Sequence, residues 1–349
     1  MAIAASFRAP AALGRAVAAL GFVQADPVRA PARAQDLILR HRVTDYRVGE
    51  LEHRFARLQL EEDFLYAYGF MPRATWRLLH PRHDVTSPDG RHIPTGLAAE
   101  VLAFVRSRRV THPRDLGAAF GRERALNGWG GWSKATTRAL HSLQYHGLLR
   151  VARRQDGIRV YQAAAPHPEP GEPAARAREI VLLVTRILAP ISERGLRATI
   201  GLLQRGAPGL GDMRAAIQTL LADGALEAAE LDGERFLWPA GSGRTEDAPR
   251  RVRLLAPFDP LVWERRRFEF LWGWDYRFEA YTPPAERRFG YYAMPLLWGD
   301  AVIGWANVTL VGGKPQVAPG FIDAAPKGRD FRHALDAEIA SFTTFLQPR

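Results

Sequence analysis

Ser133-Lys-Ala-Thr-Thr-Arg-Ala-Leu-His-Ser-Leu-Gln-Tyr-His-Gly147-Leu-Leu-Arg-Val-Ala-Arg-Arg-Gln-Asp156-Gly157-Ile-Arg-Val-Tyr161 is the stretch that decides the fold. Ser133 is a good N-cap for a helix over Lys134–His146, and Gly147 is a helix stop. Leu148–Arg154 and Ile158–Tyr161 then flank Gln155-Asp156-Gly157, and Asp-Gly between strand-like runs is a strong hairpin signal. Upstream, Leu97, Val101, Leu102 and Val105 recur at helical spacing over Gly96–Arg109. His112-Pro113-Arg-Asp-Leu-Gly117 reads as a turn into a second short helix, with Pro113 near its first position. Three helices followed by a β-hairpin over residues 95–165 is the winged-helix order.

The order recurs. Helical stretches over Ala175–Ala189, Glu193–Gln204 and Asp212–Ala222 end at Asp223-Gly224, and a hairpin turning at Asp232-Gly233 closes with Arg235-Phe-Leu-Trp238. Leu143 stands four residues before Gly147 as Leu220 stands four before Gly224, so one supersecondary unit is duplicated. The two third helices differ in chemistry. The first carries Lys134, Thr136, Thr137, Arg138, His141 and Gln144, and its wing adds Arg150, Arg153, Arg154 and Arg159. The second has Met213, Arg214, Gln218 and Thr219, one of them basic. The first copy is therefore expected to read DNA, helix in the major groove and wing arginines on phosphates, and the second to be a scaffold.

Working outward, Pro166–Pro173 is a stiff linker and Ala240–Pro249 a second boundary. Beyond Arg250, strand-like runs at Leu254-Leu255, Phe278–Tyr281, Tyr291–Trp298 and Val302–Leu310 lead to a helix over Asp330–Leu346. In the first 95 residues, helices are expected to end near Leu20, to run over Ala30–Arg40, and to continue as amphipathic helix over Asp45–Phe70, with Leu51, Phe55 and Leu58 at core spacing; a degenerate winged helix fits there. The expected class is α+β, with tandem winged-helix motifs followed by a small C-terminal β-barrel-like domain. The divisions fall at 1–94, 95–165, 175–240 and 250–349.

The net charge of +11 is unevenly placed. Residues 1–165 hold 25 Arg and Lys against 14 Asp and Glu; residues 166–349 hold 23 of each. A localised basic surface is the footprint of a polyanion binder. Only Lys134, Lys314 and Lys327 are lysines, an excess of arginine that suits bidentate phosphate contacts and that a GC-rich genome produces equally well. Cysteine is absent, which excludes a disulfide framework and Cys-ligated zinc or iron–sulfur sites. No apolar run reaches the ~18 residues of a membrane span. The Ala-rich start, interrupted by Arg15, reads as a first helix and not as a leader.

Gln24-Ala25-Asp26-Pro27 draws attention on chemical grounds. In an extended segment Gln24 and Asp26 project to the same side. A carboxamide and a carboxylate so placed can hold a water between them, the carboxylate taking its proton or facing a developing cation. A turn device, Asp-Pro opening a helix, is the other reading of the same four residues. No Walker loop or nucleophile elbow is present; Gly128-Trp-Gly-Gly-Trp132 reads as a turn. Trp129, Trp132, Trp272 and Trp274 are either base-stacking platforms or core, and Arg251, Arg253 and Arg265-Arg266-Arg267 either meet phosphates or form a solvated face.

Three segments resemble a known family. Gly21-Phe-Val-Gln-Ala-Asp-Pro-Val-Arg-Ala30, then Leu254-Leu-Ala-Pro-Phe-Asp-Pro-Leu-Val-Trp-Glu-Arg265 and Asp275-Tyr-Arg-Phe-Glu-Ala-Tyr-Thr-Pro-Pro-Ala-Glu-Arg-Arg-Phe-Gly-Tyr-Tyr-Ala-Met-Pro-Leu-Leu-Trp-Gly-Asp300, are similar to the YcaQ/AlkZ winged-helix DNA glycosylases, and the likeness runs from about residue 12 to 345. The resemblance implies three tandem winged-helix motifs plus a β-barrel, and excision of N7-alkylated purines with unhooking of interstrand crosslinks. It also implies a catalytic Gln-x-Asp motif of the YcaQ branch, here Gln24 and Asp26. One departure stands out: where YcaQ-like members show Trp-x-His in a helix before Phe-x-Pro-Arg, this chain has Leu65-Tyr66-Ala-Tyr68-Gly-Phe-Met-Pro-Arg73, without the His. The expectation is a monomeric, cytoplasmic, nucleoid-associated enzyme without metal or cofactor. Its partner is double-stranded DNA carrying alkylated bases or crosslinks, held by Arg33, Lys134, Thr137, Arg138, His141, Arg153, Arg154, Arg251 and Arg253. A non-catalytic winged-helix regulator or lesion sensor is the alternative.

Overall fold

The computed structural model describes residues 2–7, 9–82, 92–121, 123–126, 132–166, 171–207, 209–243 and 248–347. Residues 128–131 of the turn expected at Gly128–Trp132 and the centres of both expected linkers lie outside these residues. The chain forms two compact units, one of Met1–Leu51, Leu182–Thr199 and Thr219–Arg349, the other of Glu52–Val181 and Ile200–Gln218.

Helices α1 (Ala2–Ser6) and α2 (Leu13–Leu20) precede a two-residue strand β1 (Val23–Gln24). Helices α3 (Ala34–Leu39) and α4 (Glu50–Arg54) follow; a 3-10 turn over Phe55–Leu58 extends α4 before the hairpin β2 (Leu60–Phe64) and β3 (Tyr68–Pro72). Helix, short strand, two helices and hairpin is a winged-helix-like order. The helix expected across Asp45–Phe70 is thus cut short: Leu51 and Phe55 are buried at helical spacing, but Gln59 turns left-handed at φ 53° and the chain becomes a strand. The strand's Glu61-Glu62-Asp63 is held by distant arginines, a tertiary cause that local periodicity does not carry. The Tyr66–Tyr68 stretch is the turn and start of that hairpin, not a helix.

Next come α5 (Arg73–Leu79), α6 (Gly96–Arg106), α7 (Pro113–Phe120), a short pair β4 (Arg124–Leu126) and β5 (Trp132–Lys134), α8 (Ala135–Tyr145), and the wing β6 (Leu149–Gln155) and β7 (Ile158–Ala163). His112 caps α7 in a capping box with Asp115. Ser133, expected to cap α8, lies in β5; Lys134 occupies the N-cap without a side-chain bond, because β5 continues one residue further than local composition indicates. Val101, Leu102, Val105, Leu116, Leu140, Leu143, Leu149, Val151 and Val160 form the buried interior, and Thr111 exchanges two backbone hydrogen bonds with Tyr161, 2.7 and 2.9 Å, in place of a full first strand.

The third motif comprises α9 (Pro173–Leu188), β8 (Ile191–Ser192), α10 (Glu193–Gly206), α11 (Met213–Ala222), β9 (Leu226–Leu231) and β10 (Glu234–Pro239), with β8 and β9 flanking β10. Both Asp-Gly turns have two left-handed residues, Asp156 at φ 52° with Gly157 at 77°, and Asp232 at 49° with Gly233 at 77°. That is the twist-matched turn that joins two right-twisted strands in two residues.

The C-terminal part holds β11 (Val252–Leu254), α12 (Pro260–Trp263), α13 (Arg265–Trp272), a 3-10 turn over Pro284–Glu286, β12 (Met294–Trp298), β13 (Ala301–Val311), β14 (Lys314–Phe321) and α14 (Arg329–Leu346). The four strands pair antiparallel in chain order as a curled half-barrel. Phe278–Tyr281, expected as a strand, is loop: among the described residues no strand pairs with it, and the Glu279 carboxylate accepts instead from the amides of residues 288–290. Strand β14 escapes sequence reading because Pro315 and Pro319 interrupt it, and it lies at the sheet edge, where proline is tolerated. Asp259, in the family-like segment Leu254–Arg265, is fully buried: it caps α12 through the Leu261 amide and takes two hydrogen bonds from Arg42, at 2.8 and 3.0 Å. Glu338 of α14 likewise takes Arg40 at 2.7 and 2.9 Å and the Leu254 amide at 2.9 Å. These two buried carboxylates tie α3 and the turn after it to the half-barrel.

Candidate active site and DNA-facing residues

Gln24 ends β1 and Asp26 follows it after one residue. Phe22 and Val23 are buried and anchor the segment, while Gln24 and Asp26 are half-buried. The Asp26 Oδ1 accepts from the Val28 amide at 2.8 Å, an Asx-type turn that fixes the carboxylate, and the Asp26 amide donates to Gln35 Oε1 at 3.4 Å. Gln35 is buried in α3, so the helix tied to the half-barrel also sets the position of Asp26. Gln24 Oε1 is buried and has no hydrogen-bond partner. Burial pushes the Asp26 pKa up, and the Val28 amide only partly opposes it. A carboxylate with reduced solvation, two residues from an unsatisfied amide oxygen, has the chemistry to take a proton from one small polar molecule that the amide orients.

Four aromatic residues distant in sequence share this neighbourhood. The negative charge of Asp26 adds to burial in raising the pKa of Tyr281 and of Tyr292. Phe278 meets Tyr281 at 6.1 Å and Tyr292 at 5.4 Å, edge to face in both cases. Tyr281 is 79% exposed and Tyr291 44%, whereas Tyr292 is buried and its hydroxyl has no partner. Sequence reading weighed tryptophans and passed over these tyrosines. The signal available was their crowding within the family-like segment Asp275–Asp300. Trp274 is core, packed against Phe268, Tyr276, Phe289 and Trp305; Trp272 is half-buried and donates to Asp300 O at 2.8 Å; Trp129 lies outside the described residues.

On α8, Lys134, Arg138 and His141 are exposed and Thr137 half-buried, so the four share one face while Thr136, Leu140, Leu143 and Gln144 turn inward. Loss of hydration against the helix, and then the Arg159 charge, lower the His141 pKa to about 4, so at neutral pH its ring offers hydrogen bonds and no charge. Arg153 is exposed on the wing, and Arg251 is exposed before β11. Arg33 is the half-buried N-cap of α3.

The other wing arginines point into protein. Arg154 pairs with Glu62, its Nε 3.0 Å from Oε2, and lies 3.8 Å from Glu52; the carboxylates raise its pKa against the opposing cost of burial. Arg150 pairs with Glu61 at 2.8 Å, and Arg159 stands 3.5 Å from Glu62 with its guanidinium over the Tyr68 ring. Asp63 completes the acidic strand with His80 at 2.6 Å, the Trp76 indole at 2.8 Å and Arg82 at 3.5 Å. Tyr68 donates to Glu62 at 2.8 Å. Of the four wing arginines that suggested a phosphate-binding edge, three neutralise β2. Arg253 is also buried, its guanidinium 4.5 Å over the Phe7 ring. The α8 residues thus share one outward face, Gln24 and Asp26 are both half-buried two positions apart, and Arg154 and Arg253 are engaged with protein.

Among the described residues, no group of three or more His, Asp or Glu side chains is arranged to hold a metal, and no helix is long and apolar enough to cross a membrane. The sequence model of the family described as DNA glycosylase AlkZ-like matches residues 17–345. Among solved structures, the DNA glycosylase AlkZ of Streptomyces sahachiroi superposes with a TM-score of 0.62 at 15% identity, covering 98% of this chain and 95% of that one. At that identity the superposition speaks for the fold: winged-helix-like motifs with a curled C-terminal sheet. The family match spans nearly the whole chain, and the protein therefore belongs to the AlkZ-like family of DNA glycosylases.

Proposed function

We propose that the protein is a monofunctional DNA glycosylase that hydrolyses the N-glycosidic bond of N7-alkylated purines and unhooks interstrand crosslinks joined through such bases. An N7-alkylated purine is cationic and leaves readily, so little protonation of the base is required. As the C1′–N9 bond breaks, its electron pair goes to the purine, which departs neutral, and positive charge develops on the sugar. The Asp26 carboxylate faces that charge. Gln24 accepts a hydrogen bond from the attacking water through its unpaired Oε1, and Asp26 takes the proton that water loses on bonding to C1′. The observation that carries the proposal is a buried, unsatisfied Gln24 oxygen two residues before a carboxylate of raised pKa, in a chain of this family.

The DNA backbone is held by the outward face of α8, Lys134, Thr137 and Arg138 with His141 as a neutral donor or acceptor, and by Arg153, Arg251 and Arg33. Arg154 and Arg253 hold the wing and β11 in place for them. The test is single-turnover release from a duplex with one N7-methylguanine, run beside an N7-linked crosslink. Asp26→Asn is expected to lower the rate by at least about 100-fold while DNA affinity stays within about 3-fold, the usual scale for a positioned acid–base group. The second reading is a lesion sensor without catalysis. It draws on Tyr66 and Tyr68 standing where the related branch has Trp-x-His, with Tyr68 occupied by Glu62. Tight, damage-selective binding with no base release by the wild type would favour it.

A further inference from the structure

The loop from Phe278 to Tyr292 is built with unusual care for a surface segment. The Glu279 carboxylate is buried and accepts three backbone N–H groups across the loop, from Arg288 at 2.9 Å, Phe289 at 2.7 Å and Gly290 at 3.1 Å. Asn307 of β13 donates to Phe289 O at 2.8 Å. Gly290 sits at φ 120° against Asn307, where a Cβ would come within 2.5 Å of its amide, so neither residue is freely exchanged. Tyr276 anchors the far side by donating to Ala293 O at 2.7 Å. A loop fixed at this many points holds the Tyr281 ring out at 79% exposure, so the ring is presented on a rigid support.

We infer that Tyr281 is the stacking surface for the positively charged purine, with the buried Tyr292 hydroxyl as the polar contact that the base completes; this rests on the glycosylase reading of Gln24 and Asp26. Three observations converge. Tyr281 and Tyr292 lie within electrostatic range of Asp26, and Phe278 joins the two rings edge to face at 6.1 and 5.4 Å, so the three aromatics form one patch that the Asp26 charge reaches. The Tyr292 Oη is buried without a partner, and such a group is expensive unless a ligand satisfies it. The neighbouring ring already shows the preference, for Arg287 places its guanidinium 5.1 Å over Tyr291 and itself donates to Thr282 O at 2.8 Å. Tyr281, at 79% exposure against 44% for Tyr291, offers the more open ring. An electron-rich ring face attracts a delocalised cation more than its neutral isostere, which gives discrimination by charge where shape is nearly the same.

The experiment compares two uncleavable duplexes. One carries N7-methylguanine on a 2′-fluoroarabino sugar, which keeps the cation. The other carries 7-methyl-7-deazaguanine, which is neutral. Affinities are measured for wild type, Tyr281→Phe and Tyr281→Leu, beside base release by wild type and Asp26→Asn from the cleavable N7-methylguanine duplex. Wild type and Tyr281→Phe are expected to favour the cation by about 5- to 10-fold, and Tyr281→Leu to lose that preference with undamaged-duplex affinity unchanged. Preference retained in Tyr281→Leu overturns the stacking assignment, even with Asp26→Asn inactive. Release undiminished in Asp26→Asn, or absent from wild type, overturns the underlying reading instead.

Discussion

Asp26 is a carboxylate held half out of water, and its chemistry follows from that. Burial raises its pKa, so its acid limb lies above the ordinary carboxylate range. It must be ionised to face a sugar cation or to take a proton from water. Base release is therefore expected to fall as pH drops through a midpoint above about 4, in rates followed from pH 4 to 8. The limb should vanish from the residual rate of Asp26→Asn. A flat profile through pH 4 in the wild type would remove Asp26 from the reaction. Gln24 and Asp26 were legible in the sequence as a chemical pair and through the family resemblance. Tyr281 and Tyr292 were not, because they stand more than 250 positions later and only the tertiary fold sets them beside Asp26.

The hairpins show how far local rules reach. Both Asp-Gly turns could be read from two residues each, since left-handed backbone at both central positions selects this dipeptide. Strand β2 could not. Its Glu61-Glu62-Asp63 looks like the exposed face of an amphipathic helix, and only partners from β6, β7 and the segment after α5 make it a buried strand. The same blindness made the wing look like a phosphate-binding edge. Asp63 is the most enclosed of the three. Burial alone would raise its pKa, but the His80 hydrogen bond and the Arg82 charge bring it below the usual value. With the folded pKa depressed, its stabilising contribution is present above the unfolded value near 4 and fades as pH falls through the lower folded value. Asp63→Asn leaves buried His80 and Arg82 facing a neutral group and is expected to cost about 3–5 kcal/mol. Chemical denaturation at pH 7 measures it; a loss under about 1 kcal/mol would mean the network is not what holds β2.

Across the whole molecule, the charge count overstates what DNA meets. The N-terminal half holds the entire surplus of +11, yet Arg150, Arg154, Arg159 and Arg82 are engaged with carboxylates of the same unit. The cations on exposed surface include Lys134, Arg138, Arg153 and Arg251. Removing one phosphate contact reduces the slope of log affinity against log salt by about 1. Lys134→Ala and Arg138→Ala are each expected to do so in titrations of undamaged duplex at several salt concentrations. Arg154→Ala, in contrast, should lower thermal stability and leave the slope unchanged. A slope that drops in Arg154→Ala would return the wing to the DNA interface.

The loop closed by Glu279 takes its shape from one carboxylate and a row of backbone amides, which makes almost no demand on the side chain at its crest. Position 281 can therefore vary among descendants of this chain at little cost in folding. Inheritance of the scaffold and drift of lesion preference become separate matters, the first policed by stability and the second by whichever damage the organism meets.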